Sequence, residues 1–444
     1  MNDASGTLRP GKPGSFYLVT QGCKINQYEG QALVESWMRH GATQVLDPER
    51  ADVIVVNSCA VTEKSLQDLR KLIRRCRRRN READLVVTGC AAQMCIQDMT
   101  GMPEVDRIIP QEAKAGLMAW PPDCWPASKT SSGPNRQTAF PRFRLGSYPR
   151  ARPGIKVQDG CSQGCTYCIV PLTRGPARSR SLREVEAEAR RLLAHGHREL
   201  VLSGINLAQY RHQGMDFWDL VQGLEHRLGP DWQGRARLRL SSLDPSQLGA
   251  KALAVLAESS MLCPHLHVSM QSASPGVLRS MGRRHYDVRS VAGFFQRLNQ
   301  VWSCFALGGD FLVGFPGEGE DDVQQTLDWF ADQPFTYAHV FAYSPRPGTP
   351  AARAAGQIQP EVKKRRSSRL RELAQTKSRD FARRLAVDTG LEVALEGNGP
   401  GAGRCEYYVP CTFEVQPEAE VKELVPAVPV KAQGSSLVVR PGGR

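Results

Sequence analysis

Cys161-Ser-Gln-Gly-Cys165-Thr-Tyr-Cys168 places three thiols within eight residues, in the pattern C-x3-C-x2-C. No fourth thiol stands at ligand distance. The nearest polar alternatives, Asp159 before the run and Arg174 after it, are poor ones. Soft thiolate sulfur suits iron–sulfur clusters, and three thiolates hold three corners of a 4Fe–4S cube, leaving one iron open to a substrate or cofactor. A structural zinc ion needs a fourth ligand to close its tetrahedron. The competing reading is a three-thiol zinc knuckle or three buried structural cysteines. The run follows a short apolar strand, Ile155–Val157, and what lies downstream of it sets the fold.

Strand-like runs recur at 155–157, 199–202, 235–240, 266–270, 311–313 and 338–341. Helical patterns fill the intervals, at 182–194, 216–227, 247–259, 288–301 and 321–331. Six such units predict a partial (β/α)6 barrel over residues 150–385, with its active groups at the C-terminal strand ends. The cysteine loop follows the first strand, as that rule requires. The other strand ends are polar: Ser203-Gly-Ile-Asn206, Ser241-Ser-Leu-Asp244, Gln271-Ser272, and Asp310 at the start of its strand. Gly204 lets backbone come close to a ligand. Ser241, Ser242 and Gln271 offer hydrogen bonds to a ribose or an amino-acid group; alone, each is an ordinary loop residue or helix cap. Arg174, Arg178 and Arg180 face either an anionic substrate or water.

Upstream, Phe16–Thr20, Asp52–Val56 and Asp84–Thr88 read as buried strands, each followed by a helical pattern. This alternation predicts a parallel sheet covered on both faces, over residues 14–112. Asn26 is the expected cap of the first helix. Cys23, Cys59 and Cys90 each fall just past a strand's C-terminal end, the edge where open parallel sheets bind ligands. Three distant thiols thereby converge on one point and make a second cluster site; singly, each is an ordinary small buried hydrophobe. Cys76 and Cys95 lie off the pattern and are packing residues. The helix carrying Arg70, Lys71, Arg74, Arg75, Arg77, Arg78 and Arg79, with Arg81 just beyond, tracks a phosphate backbone or presents a solvated face. Residues 113–149, rich in Pro and Ser, read as an irregular, flexible linker anchored by Trp120 and Trp125, with no evident partner for Cys124.

The chain has 444 residues, enough for two or three domains. It contains no run of about 18 apolar residues, so no membrane span is expected. Met1 to Gly14 lacks the apolar segment of a secretory signal. Thirteen cysteines, an odd number with several clustered, indicate metal binding in a reducing compartment, the cytoplasm, rather than a disulfide framework. A net charge of +13 calls for a polyanionic partner, most simply nucleic acid. Residues 361–385 form a charged helix, and 386–444 change to short β-like runs. Val421 to Val430, rich in Pro and Val, does not read as a basic strand. Cys405 and Cys411 are incidental.

Taken together, Thr20-Gln-Gly-Cys-Lys-Ile-Asn-Gln-Tyr-Glu29, Val56-Asn-Ser-Cys59, Val87-Thr-Gly-Cys90, the Gln158–Cys168 loop, Leu240-Ser-Ser-Leu-Asp-Pro245, Phe311-Leu-Val-Gly-Phe-Pro-Gly-Glu318 and His339-Val-Phe-Ala-Tyr-Ser-Pro-Arg-Pro-Gly-Thr-Pro350 resemble the radical S-adenosylmethionine methylthiotransferases. The resemblance implies an N-terminal methylthiotransferase domain, a radical barrel and a small TRAM-like β module, here degenerate; Glu406-Tyr-Tyr-Val-Pro resembles that module's signature. It implies two 4Fe–4S clusters, on Cys161, Cys165, Cys168 and on Cys23, Cys59, Cys90, with S-adenosylmethionine bound near Tyr167, Gly204, Asn206, Ser241, Ser242, Gln271 and Asp310. A deoxyadenosyl radical would abstract hydrogen from C2 of an adenine in the tRNA anticodon stem-loop, and a methylthio group would take its place. An sp2 C–H of this kind gives a general base nothing to work on, so a cofactor must supply the chemistry. A flavodoxin- or ferredoxin-type electron donor and a sulfur source are implied partners. The first loop resembles enzymes acting on N6-threonylcarbamoyladenosine. The alternatives are N6-isopentenyladenosine tRNA, a ribosomal-protein aspartate or, in another class, a non-catalytic metal-stabilised RNA-binding protein.

Overall fold

The computed structural model describes residues 14–129, 133–143, 145–387, 390–397, 399 and 401–442. The first unit is a wholly parallel sheet of β1 (Ser15–Thr20), β2 (Thr43–Gln44), β3 (Val53–Ser58), β4 (Asp84–Gly89) and β5 (Arg107–Pro110), in the order β2-β1-β3-β4-β5. Alternation along the strands sends Val53, Val55 and Val86 to one face and Ile54, Val56, Leu85 and Val87 to the other. On the first face α1 (Lys24–Arg39) buries Ala32, Leu33 and Trp37, and the same core continues into Ile155, Val157, Leu200 and Leu202. On the second, α2 (Glu63–Arg79) buries Leu66, Leu69, Leu72, Ile73 and Cys76. Thr62 caps α2 by accepting from the Ser65 N–H at 3.1 Å, a contribution of about 1 kcal/mol. After β4 come α3 (Cys90–Met94) and α4 (Ile96–Thr100).

The cap of α1 is Cys23, not Asn26. The Asn26 amide is instead committed to the ends of two strands, donating to the Gln21 carbonyl at 3.0 Å and the Ser58 carbonyl at 2.8 Å.

The connection over 113–149 has little regular structure, as expected, but it is not loose. Trp120 and Trp125 pack on Trp37 with ring centroids 5.6 and 5.2 Å away, and Trp37 lies edge-on to Phe16. Phe143, Leu145 and Tyr148 are buried. Glu35 of α1 accepts from the Gly146 and Ser147 N–H groups at 2.7 and 2.9 Å. Sequence composition reports backbone irregularity; it says nothing of these aromatic anchors' burial. Residues 130–132 of the Ser-rich stretch, 144, and 1–13 at the start lie outside the described residues.

The second unit runs β6 (Gly154–Lys156), β7 (Gln158–Asp159), α5 (Val170–Arg174), β8 (Arg178–Ser179), α6 (Leu182–Ala194), β9 (Glu199–Ser203), α7 (Phe217–Trp232), β10 (Arg237–Leu240), α8 (Ala250–Glu258), β11 (His265–Gln271), α9 (Pro275–Ser280), α10 (Val288–Val301), β12 (Ala306–Val313), α11 (Glu320–Asp332) and β13 (Tyr337–Ala342). Strands β6, β9 and β10 form one parallel sheet and β11, β12 and β13 another; single parallel bridges at Leu238–Leu262 and Leu243–Val268 join them. The result is the expected half-open barrel of six strands. Its β12 begins at Ala306, so Asp310 lies inside the strand, opposite His339, rather than at its start. Ala306-Leu-Gly-Gly carries no β-branched signal; the glycines are there because Tyr337 and Phe335 occupy the space a Cβ would need.

α12 (Pro360–Leu385) packs along β13 and leads to β14 (Leu391–Leu395), β15 (Ala402–Cys405), β16 (Pro410–Phe413), β17 (Leu424–Gln433) and β18 (Ser436–Pro441), a closed barrel in the order β14-β15-β16-β18-β17. The Pro- and Val-rich stretch is therefore this barrel's longest strand. Pro429 stands at a register shift before Lys431, where a ladder N–H is dispensable, and Pro426 lies opposite Glu392 of β14. Cys405 and Cys411 are buried in its core.

Candidate active site

Strands β7 and β8 pair antiparallel and close the base of the loop carrying Cys161, Cys165 and Cys168. Gly160 enters that loop at φ +67, where a Cβ would strike the carbonyl oxygens of Gly175 and Pro176, so only glycine turns the chain here. Donors surround the sulfurs. Cys161 Sγ accepts from the Gln163 N–H at 3.4 Å and the Asn206 amide at 3.7 Å, and Arg283 reaches Cys165 Sγ at 3.7 Å. Burial pushes the Cys161 thiol up and the Cys168 thiol up to about 12, so a bound cation must displace their protons.

The second triad sits at the edge of the first sheet. Pairing of Ser58 with Gly89 puts Cys59 and Cys90 one step beyond adjacent parallel strands. Gly22, at φ +92, brings the Cys23 loop over Cys59: a Cβ on Gly22 would lie 2.8 Å from Cys59 Sγ. Burial raises the Cys59 and Cys90 thiols; for Cys59 the neighbouring Cys90 and Cys23 sulfurs add to this, and for Cys90 the Cys23 sulfur does. Among the described residues, the tight His/Cys/Asp/Glu group, with ligand atoms within 4.8 Å of one another, is His267, Asp310 and His339; neither thiol triad is that compact. A single ion draws its ligands together, whereas a cube spreads its thiolates over separate iron corners. Three thiolates are the donor set that a 4Fe–4S cube takes, and neither triad as it stands brings its sulfurs close enough for one ion to hold all three.

A buried ionic network joins the two loops. Glu29 of α1 accepts from Lys114 at 2.6 Å, Lys156 at 2.6 Å and Arg174 at 2.8 Å. Asp159 accepts from Lys156 at 2.8 Å, Arg174 at 3.0 Å and Arg178 at 3.2 Å. Arg174 and Arg178 thus face neither substrate nor water; Arg180 is likewise buried, paired with Glu188 at 3.0 Å. Burial opposes the charge on Glu29, but Arg174, Lys114 and Lys156 outweigh it and hold the carboxyl well below its usual range. Four cations against two carboxylates leave a surplus of two positive charges. Arg174, at the end of α5, feels the charge of Cys90 and Cys23, and α3, which begins at Cys90, packs on α5. The surplus therefore lies against the second triad, where thiolates would put negative charge.

The remaining candidates divide. Ser241 is buried with its Oγ unpartnered, and Gln271, at φ +66, makes no side-chain hydrogen bond among the described residues. Tyr167 packs edge-on to Phe315. Ser242 Oγ is tied to Ser269 at 2.7 Å and Asp310 at 3.1 Å. Gly204 has no open ligand face where a Cβ would point; Leu207 and Gln158 take that space. Asp310 is shared between His267 at 2.8 Å and His339 at 3.2 Å, which together overcome burial and keep it ionised. Residues missed in the sequence include Arg283, which also pairs with Asp244 at 2.8 Å, and His285, 3.1 Å from the same carboxylate. Both stand in Met281-Gly-Arg-Arg-His-Tyr286, a polar run that looks like any surface loop. On α2, Arg70, Arg77 and Arg79 are paired with Asp98, Asp106, and Glu49 with Asp47, leaving Lys71, Arg75 and Arg78 exposed.

The base of the half-barrel is closed by the C-terminal module. Glu199 is clasped by Arg237 at 2.7 Å and Arg239 at 2.6 Å, and these arginines also donate to the carbonyls of Glu392, Arg404, Cys405 and Glu406. Tyr408 enters from below, stacked on His265 at 4.9 Å and near Tyr337 at 5.9 Å. Its backbone is held at φ +66, a strain of order 1 kcal/mol for a bulky residue.

Residues 15–110 match the Uncharacterized protein family UPF0004 and residues 155–330 the Radical SAM superfamily. The chain is 32% identical to the threonylcarbamoyladenosine tRNA methylthiotransferase MtaB of Thermotoga maritima, over 89% of this chain and 90% of that protein. It is 32% identical to MtaB of Bacillus subtilis, over 82% and 81%. It is also 33% identical to the tRNA-2-methylthio-N(6)-dimethylallyladenosine synthase of Zymomonas mobilis, over 87% of each. In architecture it is similar to the radical S-adenosylmethionine methyltransferase TsrM of Kitasatospora setae, with a TM-score of 0.57 over 76% of this chain and 75% of that one, at 17% identity. With its cysteine loop set in a half-barrel and a parallel-sheet unit before it, the chain belongs to the radical S-adenosylmethionine tRNA methylthiotransferase family.

Proposed function

We propose that this enzyme places a methylthio group on C2 of N6-threonylcarbamoyladenosine beside the tRNA anticodon, using a second 4Fe–4S cluster on Cys23, Cys59 and Cys90. The observation that carries the reading is that α3, which begins at Cys90, packs on α5, which follows the Cys161–Cys168 loop, so the two cysteine loops lead into touching helices. When bound, the clusters and S-adenosylmethionine supply the electron, the radical and the sulfur that C2 functionalisation needs. The chain's own residues hold and insulate these groups. Asn206, Arg283 and the Gln163 N–H stabilise charge on the Cys161 and Cys165 sulfurs. The Lys114–Lys156–Arg174–Arg178 surplus does so for the second triad. Ser241 and Gln271, whose side chains make no hydrogen bond among the described residues, contact S-adenosylmethionine, as does Tyr167; Ser242, Asp310 and Gly204 act through their neighbours. The target base must leave its stack to enter the half-barrel. The exposed Lys71, Arg75 and Arg78 and the net charge of +13 suit a tRNA backbone. The reducing cytoplasm, an electron donor and a sulfur source follow from the same reading.

Relatives named for either modified adenosine match at nearly equal identity, so the substrate rests on the first loop, Gly22-Cys-Lys-Ile-Asn-Gln-Tyr-Glu29. Protein reconstituted anaerobically with iron and sulfide is incubated with reductant, S-adenosylmethionine and tRNA carrying threonylcarbamoyladenosine, and the digested nucleosides are weighed. A methylthio product is expected, absent with Cys165→Ala. Cys59→Ser is expected to lose about half of the bound iron and all methylthio product while still forming 5′-deoxyadenosine. Full iron content in Cys59→Ser would remove the second cluster from the proposal.

A further inference from the structure

Strands β11, β12 and β13 present one polar strip to the lumen. Alternation sends Leu266, Val268, Phe311 and Val340 into the core and leaves His267, Asp310 and His339 on the opposite, inner face. Asp310 lies directly across from His339, and His267 stands across from Gly308, two residues before Asp310. Gly308 makes that placement possible, because a Cβ there would strike the Tyr337 ring and His267 Nδ1. One carboxylate oxygen, Asp310 Oδ1, meets His267 Nε2 at 2.8 Å and His339 Nδ1 at 3.2 Å, and the three ligand atoms lie within 4.8 Å of one another. The choice of partners sets this carboxylate apart. The buried carboxylates Glu29, Asp159, Glu188, Glu199, Asp244 and Glu318 are each paired with a lysine or an arginine. Asp310, among the described residues, is paired with imidazoles alone.

We infer that His267, Asp310 and His339 form a site for one divalent transition-metal cation in the lumen, outside both thiol triads. Two imidazoles and one carboxylate are the donor set that first-row ions such as Zn2+, Mn2+ and Fe2+ take when coordination positions stay open. Ligands about 2.0–2.2 Å from an ion and about 90–109° apart lie about 2.8–3.6 Å from each other, and both contacts to Oδ1 fall in that range. His339 is half-exposed and has room to turn inward and close the set. The supporting hydrogen bonds are in place as well. The Tyr337 hydroxyl bonds His267 Nδ1 at 3.0 Å, which leaves Nε2 aimed at Asp310. Ser242 Oγ donates to Asp310 Oδ2 at 3.1 Å, which leaves Oδ1 for the ion. Metal ligands are held in this way, each oriented by a partner on its other polar atom. The remaining coordination positions face the lumen, where the ion takes an oxygen or nitrogen donor from the molecule bound there. The site depends neither on the second cluster nor on which modified adenosine is the substrate.

The test uses full-length protein reconstituted with iron and sulfide, its clusters in the oxidised, diamagnetic state, without RNA. Mn2+ is the probe, because carboxylate and imidazole suit it and thiolates do not. Its binding is read as loss of the free ion's electron paramagnetic resonance signal, with iron content and melting temperature measured alongside. Wild type is expected to bind one Mn2+ per chain with Kd below about 100 µM, and Zn2+ is expected to displace it. Asp310→Asn and His339→Ala are each expected to weaken binding by about tenfold or more at unchanged iron content. If Asp310→Asn loses iron or melts early, the decision passes to His339→Ala, whose half-exposed side chain the core does not need. Absence of saturable binding below about 1 mM overturns the site and leaves an ionic triad held by protons. Saturable binding that the folded variants leave unchanged overturns it too, since the ion then sits elsewhere.

Discussion

Glu29 shows most plainly what single residues do here and how little of it can be read from a sequence. It sits in the motif Asn26-Gln-Tyr-Glu29 of an amphipathic helix and looks like a surface carboxylate. In the fold it is completely buried and accepts from three cations that come from three parts of the chain. The Glu29→Gln variant leaves Lys114, Lys156, Arg174 and Arg178 facing Asp159 alone. Breaking a buried pair from one side costs about 3–5 kcal/mol, and the loss is expected in the denaturant midpoint at unchanged slope. A shift worth less than about 1 kcal/mol would mean that water enters the network. The cysteines, by contrast, were legible because their chemistry requires a spacing, and because strand ends in a parallel sheet bring equivalent positions together. Arg174, Arg178 and Arg180 were not legible. Nothing local distinguishes an arginine facing solvent from one buried under a carboxylate, whether that comes from the first unit, as Glu29 does for Arg174, or from the same one, as Asp159 and Glu188 do for Arg178 and Arg180.

Among the elements, those with strong periodicity announce themselves. Leu182–Ala194 and Val288–Val301 are helices at the expected residues, and Ser181 and Asp287 cap them. Elements whose residues are chosen by a neighbour do not. β12 carries Gly308 and Gly309, shaped by Tyr337 and Phe335, and β17 carries Pro426 and Pro429, so neither resembles a strand in isolation. The turn from α6 into β9 makes a different demand. His197 there is fully buried; its Nδ1–H donates to the Ala151 carbonyl at 3.1 Å and its Nε2 has no partner among the described residues. Burial pulls the imidazole down to about 4, against about 6.5 in the unfolded chain. A depressed folded value means that the unfolded state binds the proton more tightly. The stability is present above pH 6.5 and drains away as pH falls toward 4. In His197→Phe the midpoint of unfolding should lose this part of its pH dependence between 6.5 and 4. An unchanged slope would place the acid sensitivity elsewhere.

Across the whole molecule, the C-terminal barrel does more than end the chain. Its core takes in Ala306 from β12 and Phe381, Ala382 and Leu385 from α12, so no apolar boundary separates it from the half-barrel. Arg237 and Arg239 satisfy Glu199 on one side and backbone carbonyls of the module on the other. Without the module these buried guanidiniums lose half of their acceptors, and Tyr408 no longer closes the lumen. A tethered RNA-binding appendage would behave differently, because domains joined only by a linker unfold independently. Calorimetry separates the two cases. In the full chain, the half-barrel and the module are expected to melt in one cooperative transition. A chain ending at Leu385 should melt lower by about 5 °C or more, since each kcal/mol lost shifts a unit of this size by roughly 2–4 °C. If the full chain instead shows two transitions, and truncation removes the lower one while leaving the upper unmoved, the module does not brace the half-barrel and the base of the lumen is formed without it.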